Sequence, residues 1–358
     1  MRLAFYAPLK PPSHPVPSGD RSIARALIAA LEHSGAEVTL ASTLRSRDGK
    51  GDAQIQADLQ REAKAEIARL VPQGRVAGWQ AWLSYHNYYK APDLIGPHVA
   101  AALGIPYLQV ESTRARKRLT GPWAGFAQAA ERASDAARVI FYFTAHDAET
   151  LHRDATPDQQ VIHLPPFLNQ TGLPALRAAE GPMLAVGMMR SAAKLPSYRI
   201  IAETLALLPA EGWSLEIAGD GPARAEVVAL MSGFGSKVQF LGALEGAAMT
   251  AAYARAGLFF WPGVDEAFGM VYLEAQAAGL PVVAQDRTGV RDVLAGTDHP
   301  PPEAGPAALA RRLNDLIGDS AQRHAAGRAA RTYVADHHLL PAAAATLRDA
   351  LTRAGVPA

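Results

Sequence analysis

The chain has 358 residues, a length that suggests two domains rather than one, and its 49% apolar and 19% charged residues exclude collagen-like and wholly disordered classes. Lysine and arginine number 35 against 34 aspartate and glutamate, so a net charge of +1 supplies no global field for nucleic acid and any polyanion site must be local. The absence of cysteine removes disulfides, thiolate metal sites and a cysteine nucleophile, and it fits a reducing cytosol.

Arg2 to Ala7 reads as a first strand. Pro8, Pro11, Pro12 and Pro15 then interrupt the apolar run before a signal-peptide core is complete. Ser18 or Asp20 can cap a helix in which Ile23, Leu27 and Leu31 recur every four positions until Gly35. Ala36 to Ala41 is a second strand and Gln54 to Leu70 a charged amphipathic helix. Trp79 to Tyr85, Ile105 to Val110 and Val139 to Phe143 are further strands with helices between them. From 164 to 182 the pattern lapses into LPPFLNQTGLPALRAAEGP, whose prolines and glycines disfavour any packed element, so the interdomain linker is placed there.

A second series follows, with strands at Met183 to Gly187, Ser214 to Ala218, Lys237 to Leu241, Gly257 to Trp261 and Pro281 to Ala284. Each is followed by a helical segment, the crossover that parallel strands need. The tail from Pro302 to Ala358 reads as helical throughout, broken at Pro341, where the last helix can turn back toward the first domain. The expected fold class is α/β with two doubly wound parallel-sheet domains, 1–172 and 173–338, facing across a cleft, and a returning helix over 339–358. In open α/β sheets ligands lie beyond the carboxyl ends of the strands, so the strand-to-helix loops are the place to search. No segment reaches roughly 18 uninterrupted apolar residues. The expectation is a cytoplasmic protein, in contact with the inner face of a membrane peripherally at most.

The most informative stretch is WPGVDEAFGMVYLEAQAAGLPVVA, Trp261 to Ala284. A strand ends at Trp261, a loop carries Asp265 and Glu266, and a helix starting near Phe268 or Gly269 holds Glu274 before Gly279 and Pro281 stop it. The backbone amides at that helix start are free, and Gly269 keeps no side chain in the way, so a diphosphate fits there. Taken alone, Asp265 and Glu266 read first as a cap and a first-turn acid worth ~0.3 to 1 kcal/mol, and Glu274 as a solvated helix residue. Arg190 and Lys194, four apart after the strand ending at Gly187, read as an exposed pair or as cations for departing phosphate charge.

The segment E-AFGMVYL-E-AQAAGLPVVA resembles the E-x(7)-E motif of retaining glycosyltransferases of family 4, which have the GT-B fold of two Rossmann-like domains. MLAVGMMRSAAK (Met183 to Lys194), LEIAGDGPAR (Leu215 to Arg224) and VQFLGALEGAAMTAAYARAGLFFWPG (Val238 to Gly263) resemble that family's successive motifs in the family's order. In the first half only the strand pattern, the GD pair and PPFLN resemble it. The resemblance implies a nucleoside diphosphate sugar as donor substrate, no separate cofactor, no metal, and a saccharide, lipid or small-molecule acceptor. It implies that Glu266 accepts hydrogen bonds from hydroxyls of the transferred sugar, that amides of Phe268, Gly269, Met270 and Val271 lie near the diphosphate or sugar, and that Glu274 holds the ribose. Arg190 and Lys194 would neutralise the diphosphate, with Gly187 in the same loop and Leu241 near the nucleobase. Gly219-Asp220-Gly221-Pro222 lacks the third glycine of a dinucleotide fingerprint and reads as architectural.

In the first half, Gly19 lets a ligand approach a helix start, or belongs to a plain turn with an aspartate cap. Family members commonly have a histidine after a first-domain strand, where this chain has Glu111. His86 is the other candidate, and Glu111 can pair with it or bind the acceptor. The densest basic run, Arg114, Arg116, Lys117 and Arg118 with Trp123 behind it, reads as a solvated loop or as a receiver of an anionic acceptor or membrane through Arg116 and Lys117. The rivals are a nucleotide-sugar epimerase, an inverting transferase using His86 or Glu111 as base, and a two-lobed binding protein without chemistry.

Overall fold

The computed structural model describes residues 1–16, 18–176, 180–192, 194–209, 211–267 and 269–357. The chain divides into two compact units: Met1–Pro165 with Leu340–Ala358, and Pro166–Leu339.

The first unit alternates β1 (Arg2–Tyr6), α1 (Gly19–His33), β2 (Glu37–Ser42), α2 (Ala53–Ala77), β3 (Ala81–Asn87), α3 (Gly96–Leu103), β4 (Tyr107–Ser112), α4 (Ala124–Ala136), β5 (Val139–Tyr142), α5 (Ala145–Arg153) and β6 (Gln160–His163). Its strands form one parallel sheet in the order β2-β1-β3-β4-β5-β6. The middle strands are covered on both faces, which is why β1 and β3 read as nearly unbroken apolar runs with burial at almost every position. The core on one side is built around Trp82, Trp79 and Tyr107 with Val99 and Ile140. Strand β6, QVIH, is only four residues long and its two apolar residues are adjacent, so no alternation marks it in the sequence.

Helix α2 runs past its expected end at Leu70 to Ala77, straight through Pro72. Proline in a helix interior costs about 3 kcal/mol. The extension is held because Leu70 is fully buried and Gly74 lies so close to Leu103 and Trp79 that a methyl group would meet both at 2.6 Å. The helix stops one turn later at Gly78, in the left-handed conformation.

The second unit runs β7 (Met183–Val186), α6 (Leu195–Leu205), β8 (Leu215–Ala218), α7 (Arg224–Met231), β9 (Val238–Gly242), α8 (Gly246–Arg255), β10 (Leu258–Phe260), α9 (Met270–Ala277), β11 (Val282–Val283), α10 (Gly305–Gly318) and α11 (Ser320–His337). Its sheet is again parallel, ordered β11-β10-β7-β8-β9. Tyr272, Phe259, Phe260 and Trp261 are fully buried in its core.

The tail is not one continuous helical run. Asp319 caps α11 with its side chain, and the chain breaks again at His338 before α12 (Leu340–Arg353). That last helix belongs to the first unit, where it packs on α1. Each sheet has a point where the winding reverses: between β1 and β3 in the first unit, and between β7 and β10 in the second. The loops leaving those strands adjoin at the carboxyl edge, where open α/β sheets hold ligands.

Candidate functional site

In the second unit the loops after β7 and β10 bring together residues 72 apart in sequence: the Lys194 ammonium donates to Glu266 Oε1 in an ion pair, with both side chains more than four-fifths buried. The indole Nε1 of Trp261 donates to the same oxygen at 2.8 Å. Trp261 is fixed in turn by Gly187, where an added methyl would meet the indole ring at 2.5 Å, and by an edge contact with Tyr198 at 5.1 Å. The Tyr198 hydroxyl donates to the Gly187 carbonyl at 2.6 Å. Gly187 is therefore a packing position beneath Glu266.

Val264, Asp265 and Gly269, in the segment between β10 and α9, are each tightly constrained. The buried Ser197 hydroxyl accepts from the Val264 amide at 3.0 Å. Asp265 is held at φ 52°, a left-handed conformation that strains a residue with a side chain. Gly269 takes φ 42° with the Tyr272 ring 2.5 Å from where a Cβ would sit, and it starts α9 with no side-chain cap. The amides of Met270 and Val271 lie in that uncapped first turn, half-buried, among the unsatisfied donors of the helix. Phe268 lies outside the described residues.

Glu274, in the second turn of α9, does not join the Lys194–Glu266 pair. Its Oε2 accepts from the Tyr253 hydroxyl at 2.8 Å. Both groups line a cavity of about 840 Å³ between α8, α9 and the segment around Pro174. Burial pushes the Glu274 carboxyl above its ordinary value, only partly offset by that hydrogen bond, and burial raises the Tyr253 phenol further still. Arg190 is exposed, and its guanidinium makes no hydrogen bond or ion pair with any described residue. Leu241 sits half-buried in β9, packed against the core.

Gly219 and Gly221 are architectural. A methyl at either would strike the backbone carbonyl of Gly187 or Met189, so these turns let the loops after β7 and β8 lie against each other.

The first unit holds a second constellation at its own winding reversal. His86 Nδ1 lies 3.1 Å from Asp20 Oδ1 and 3.8 Å from Glu111 Oε1. Asp20 follows β1, His86 is the penultimate residue of β3 and Glu111 is near the end of β4, three adjacent strands. His86 and Glu111 are both held in the left-handed region, at φ 66° and 57°. Burial works to lower the imidazole pKa, but the Glu111 charge and the bond to Asp20 outweigh it, and the imidazole is raised. Burial raises the Glu111 carboxyl despite the nearby imidazole. The hydrogen bond with His86 lowers Asp20. Gly19 begins α1 behind the Ser18 cap, and an added methyl there meets nothing within 4 Å. The protein itself does not require glycine at that point.

The basic run separates into four environments. Arg114 is buried against Glu131 (2.9 Å) and Asp135 (2.5 Å). Arg116 pairs with Asp154 at 3.0 Å, Lys117 is exposed, and Arg118 turns onto the rings of Tyr89 and Trp123. Trp261, Tyr253, Ser197 and the full role of Asp20 were not found by sequence reasoning. An aromatic in an apolar run reads as core, and nothing local shows that its one polar atom holds a carboxylate.

Residues 182–319 match the family model described as Glycosyl transferases group 1. Over 94 residues the chain is 40% identical to a GDP-mannose-dependent alpha-mannosyltransferase of Mycolicibacterium smegmatis, covering 26% of this chain and 24% of that protein. It is 39% identical over 136 residues to an exopolysaccharide phosphotransferase of Streptomyces coelicolor, covering 36% of this chain and 14% of that one. A sulfoquinovosyl transferase of Arabidopsis thaliana is 32% identical over 123 residues, with 32% and 23% covered. The matches thus span about a quarter or less of these curated relatives. Among solved structures, the Anabaena HepE protein in complex with UDP aligns with a TM-score of 0.72 at 14% identity, over 99% of this chain and 100% of that one. A sucrose-phosphate synthase of Thermosynechococcus elongatus aligns at 0.69 and 18% identity, over 98% of each. These likenesses show the fold, that of GT-B proteins with two Rossmann-like domains.

Proposed function

We propose that this chain is a glycosyltransferase that moves a sugar from a nucleoside diphosphate donor to a glycan, lipid or small-molecule acceptor. The observation that carries the reading is the Lys194–Glu266 pair at the winding reversal of the second sheet, beside the uncapped start of α9. It lies within the region that matches the glycosyltransferase family. Glu266 is the acceptor for donor-sugar hydroxyls, and the amides of Gly269 to Val271 meet the sugar or diphosphate. In the free protein Lys194 is neutralised by Glu266. Donor binding then exchanges partners: the diphosphate takes Lys194 and Arg190, and Glu266 turns to the sugar. Developing phosphate charge is stabilised by those two cations and the helix amides. Glu274 and Tyr253 hold the ribose at the mouth of their cavity. The acceptor hydroxyl attacks on the face from which the diphosphate leaves, with retention at the anomeric carbon.

Mixing the protein with a panel of UDP-, GDP- and ADP-sugars and following its melting tests the donor reading. The relatives and neighbours are named for GDP-mannose and for complexes with UDP-glucose, so both bases belong in the panel. A nucleotide at a hundred times its Kd adds about 2.7 kcal/mol. Glu274→Ala is expected to abolish most of that shift. An unchanged shift in the variant removes the ribose role, and no shift with any nucleotide removes the donor reading.

The Asp20–His86 bond favours a second reading, in which His86 is the general base of an inverting transfer. The product anomer, read by proton NMR, separates the two. An inverted product with activity rising through the raised imidazole pKa supports His86 as base, and a retained product excludes it.

A further inference from the structure

Beyond β3 and β4 the first unit carries an aromatic row leading away from His86. His86 and Tyr88 have ring centroids 4.9 Å apart, Tyr88 and Tyr89 5.6 Å, and Tyr89 and Trp123 5.7 Å with perpendicular planes. Two cations lie over the last pair. Lys90 Nζ is 5.6 Å from the Tyr89 ring and 5.4 Å from Trp123, and the Arg118 guanidinium is 5.1 Å and 5.7 Å from the same rings. Neither cation has a carboxylate partner among the described residues, although Arg114 and Arg116 of the same run are paired with Glu131, Asp135 and Asp154. The nearby Asp48 carboxylate is already taken by the amides of Lys50, Gly51 and Asp52 and by the Gln56 side chain. The Arg118 Nε is buried with no hydrogen-bond acceptor. Two like charges are thus gathered on one aromatic pair, with a donor left open and no counter-charge among the described residues.

We infer that Tyr89, Trp123, Lys90 and Arg118 form an acceptor subsite for a saccharide bearing a phosphate or carboxylate. The ring edges and faces offer the flat apolar surface on which a pyranose lies, and the two cations supply the missing charge for its anionic group. The Tyr88 ring continues that surface to the Asp20–His86–Glu111 cluster, where the acceptor hydroxyls are received. This subsite rests on the transferase reading for its role and differs from the sequence expectation, which placed the anion on Arg116 and Lys117.

The test is titration calorimetry of the full chain, saturated with UDP or whichever nucleotide stabilises it, using glucose 6-phosphate, glucuronate and glucose as probes. Both anionic sugars are expected to bind about tenfold more tightly than glucose, the size of one charge-assisted hydrogen bond. Arg118→Gln and Lys90→Gln should remove that difference, Arg118→Lys should restore part of it, and Arg328→Gln, at an exposed arginine of α11 in the other unit, should leave it unchanged. Equal binding of glucose and its phosphate, or an advantage that survives both glutamine variants, overturns the inference. So does Arg118-dependent binding to phosphatidylcholine vesicles containing a quarter phosphatidylglycerol without any preference among the sugars, which would make the patch a membrane contact. Nucleotide stabilisation in the same variants keeps the two proposals apart. A protein that ignores every nucleotide yet discriminates the sugar phosphate through Arg118 loses the donor reading alone, and one that binds nucleotide but not the sugar phosphate loses this one alone.

Discussion

Gly187 supports Glu266 without touching it. Because a methyl group at that position must displace the Trp261 indole, Gly187→Ala should cost about 1–3 kcal/mol by overpacking. It should also loosen the Nε1 bond that orients Glu266. Chemical denaturation measures the first effect and nucleotide-sugar affinity the second; a variant with wild-type values of both would show that the indole is not the support. At the first unit's cluster the sign of the pH dependence follows from the directions of the shifts. The His86 imidazole is raised when folded, so its stabilisation is full below the ordinary value of about 6.5 and is lost as pH rises through the folded value. Glu111, also raised, has the same sign at lower pH. Asp20, lowered, contributes fully across the neutral range. The melting temperature should therefore fall as pH rises above about 6.5 and through the raised imidazole value, and His86→Gln should flatten that fall. An equal slope in wild type and variant would rule out the cluster as its source.

The elements show how far local pattern carries. The parallel strands were legible because burial on both faces writes a continuous apolar run, as in Leu3 to Ala7 or Leu258 to Trp261. The start of α1 was legible because Ser18 caps it through its own side chain. Helix α2 was misjudged at Pro72, since local propensity cannot register the buried contacts of Leu70 and Gly74 that outweigh it. Pro72→Ala should thus stabilise the protein by about 2 kcal/mol in denaturant unfolding, since the restored helix bond exceeds the unfolded-chain entropy that proline had removed. At the candidate sites residue types were visible and partners were not. Glu266 and Lys194 stood out, but their pairing depends on β7 and β10 being neighbours, a fact of strand order rather than of sequence spacing. The same holds for Asp20, His86 and Glu111. A further element-scale consequence lies where α11 crosses the end of α9: a methyl at Gly327 would fall on the Gly279 carbonyl oxygen. Gly327→Ala should lower the melting temperature by several degrees, and a rise would mean that the crossing can open without loss.

At the scale of the whole molecule the chain leaves one unit, builds another, and comes back. Helix α12 buries Leu340, Leu347 and Leu351 within the first unit, each worth about 1.5–3 kcal/mol. Against a typical stability of about 5–15 kcal/mol, that makes α12 indispensable to its unit. Truncation after Leu339 should leave a calorimetric transition for residues 166–339 and abolish the other, with proteolysis confined to residues before 166. Survival of both transitions would show that α1 needs no partner.

The same return sets a timetable for synthesis. Residues 166–339 must be translated between the last strand of the first sheet and the helix that covers α1. At ordinary rates of 5–20 residues per second that takes roughly ten to thirty-five seconds. Throughout that interval the nascent first unit displays the apolar stripe of α1 beside the ribosome, and the inserted unit, contiguous in sequence, is able to finish folding before the unit that was begun earlier.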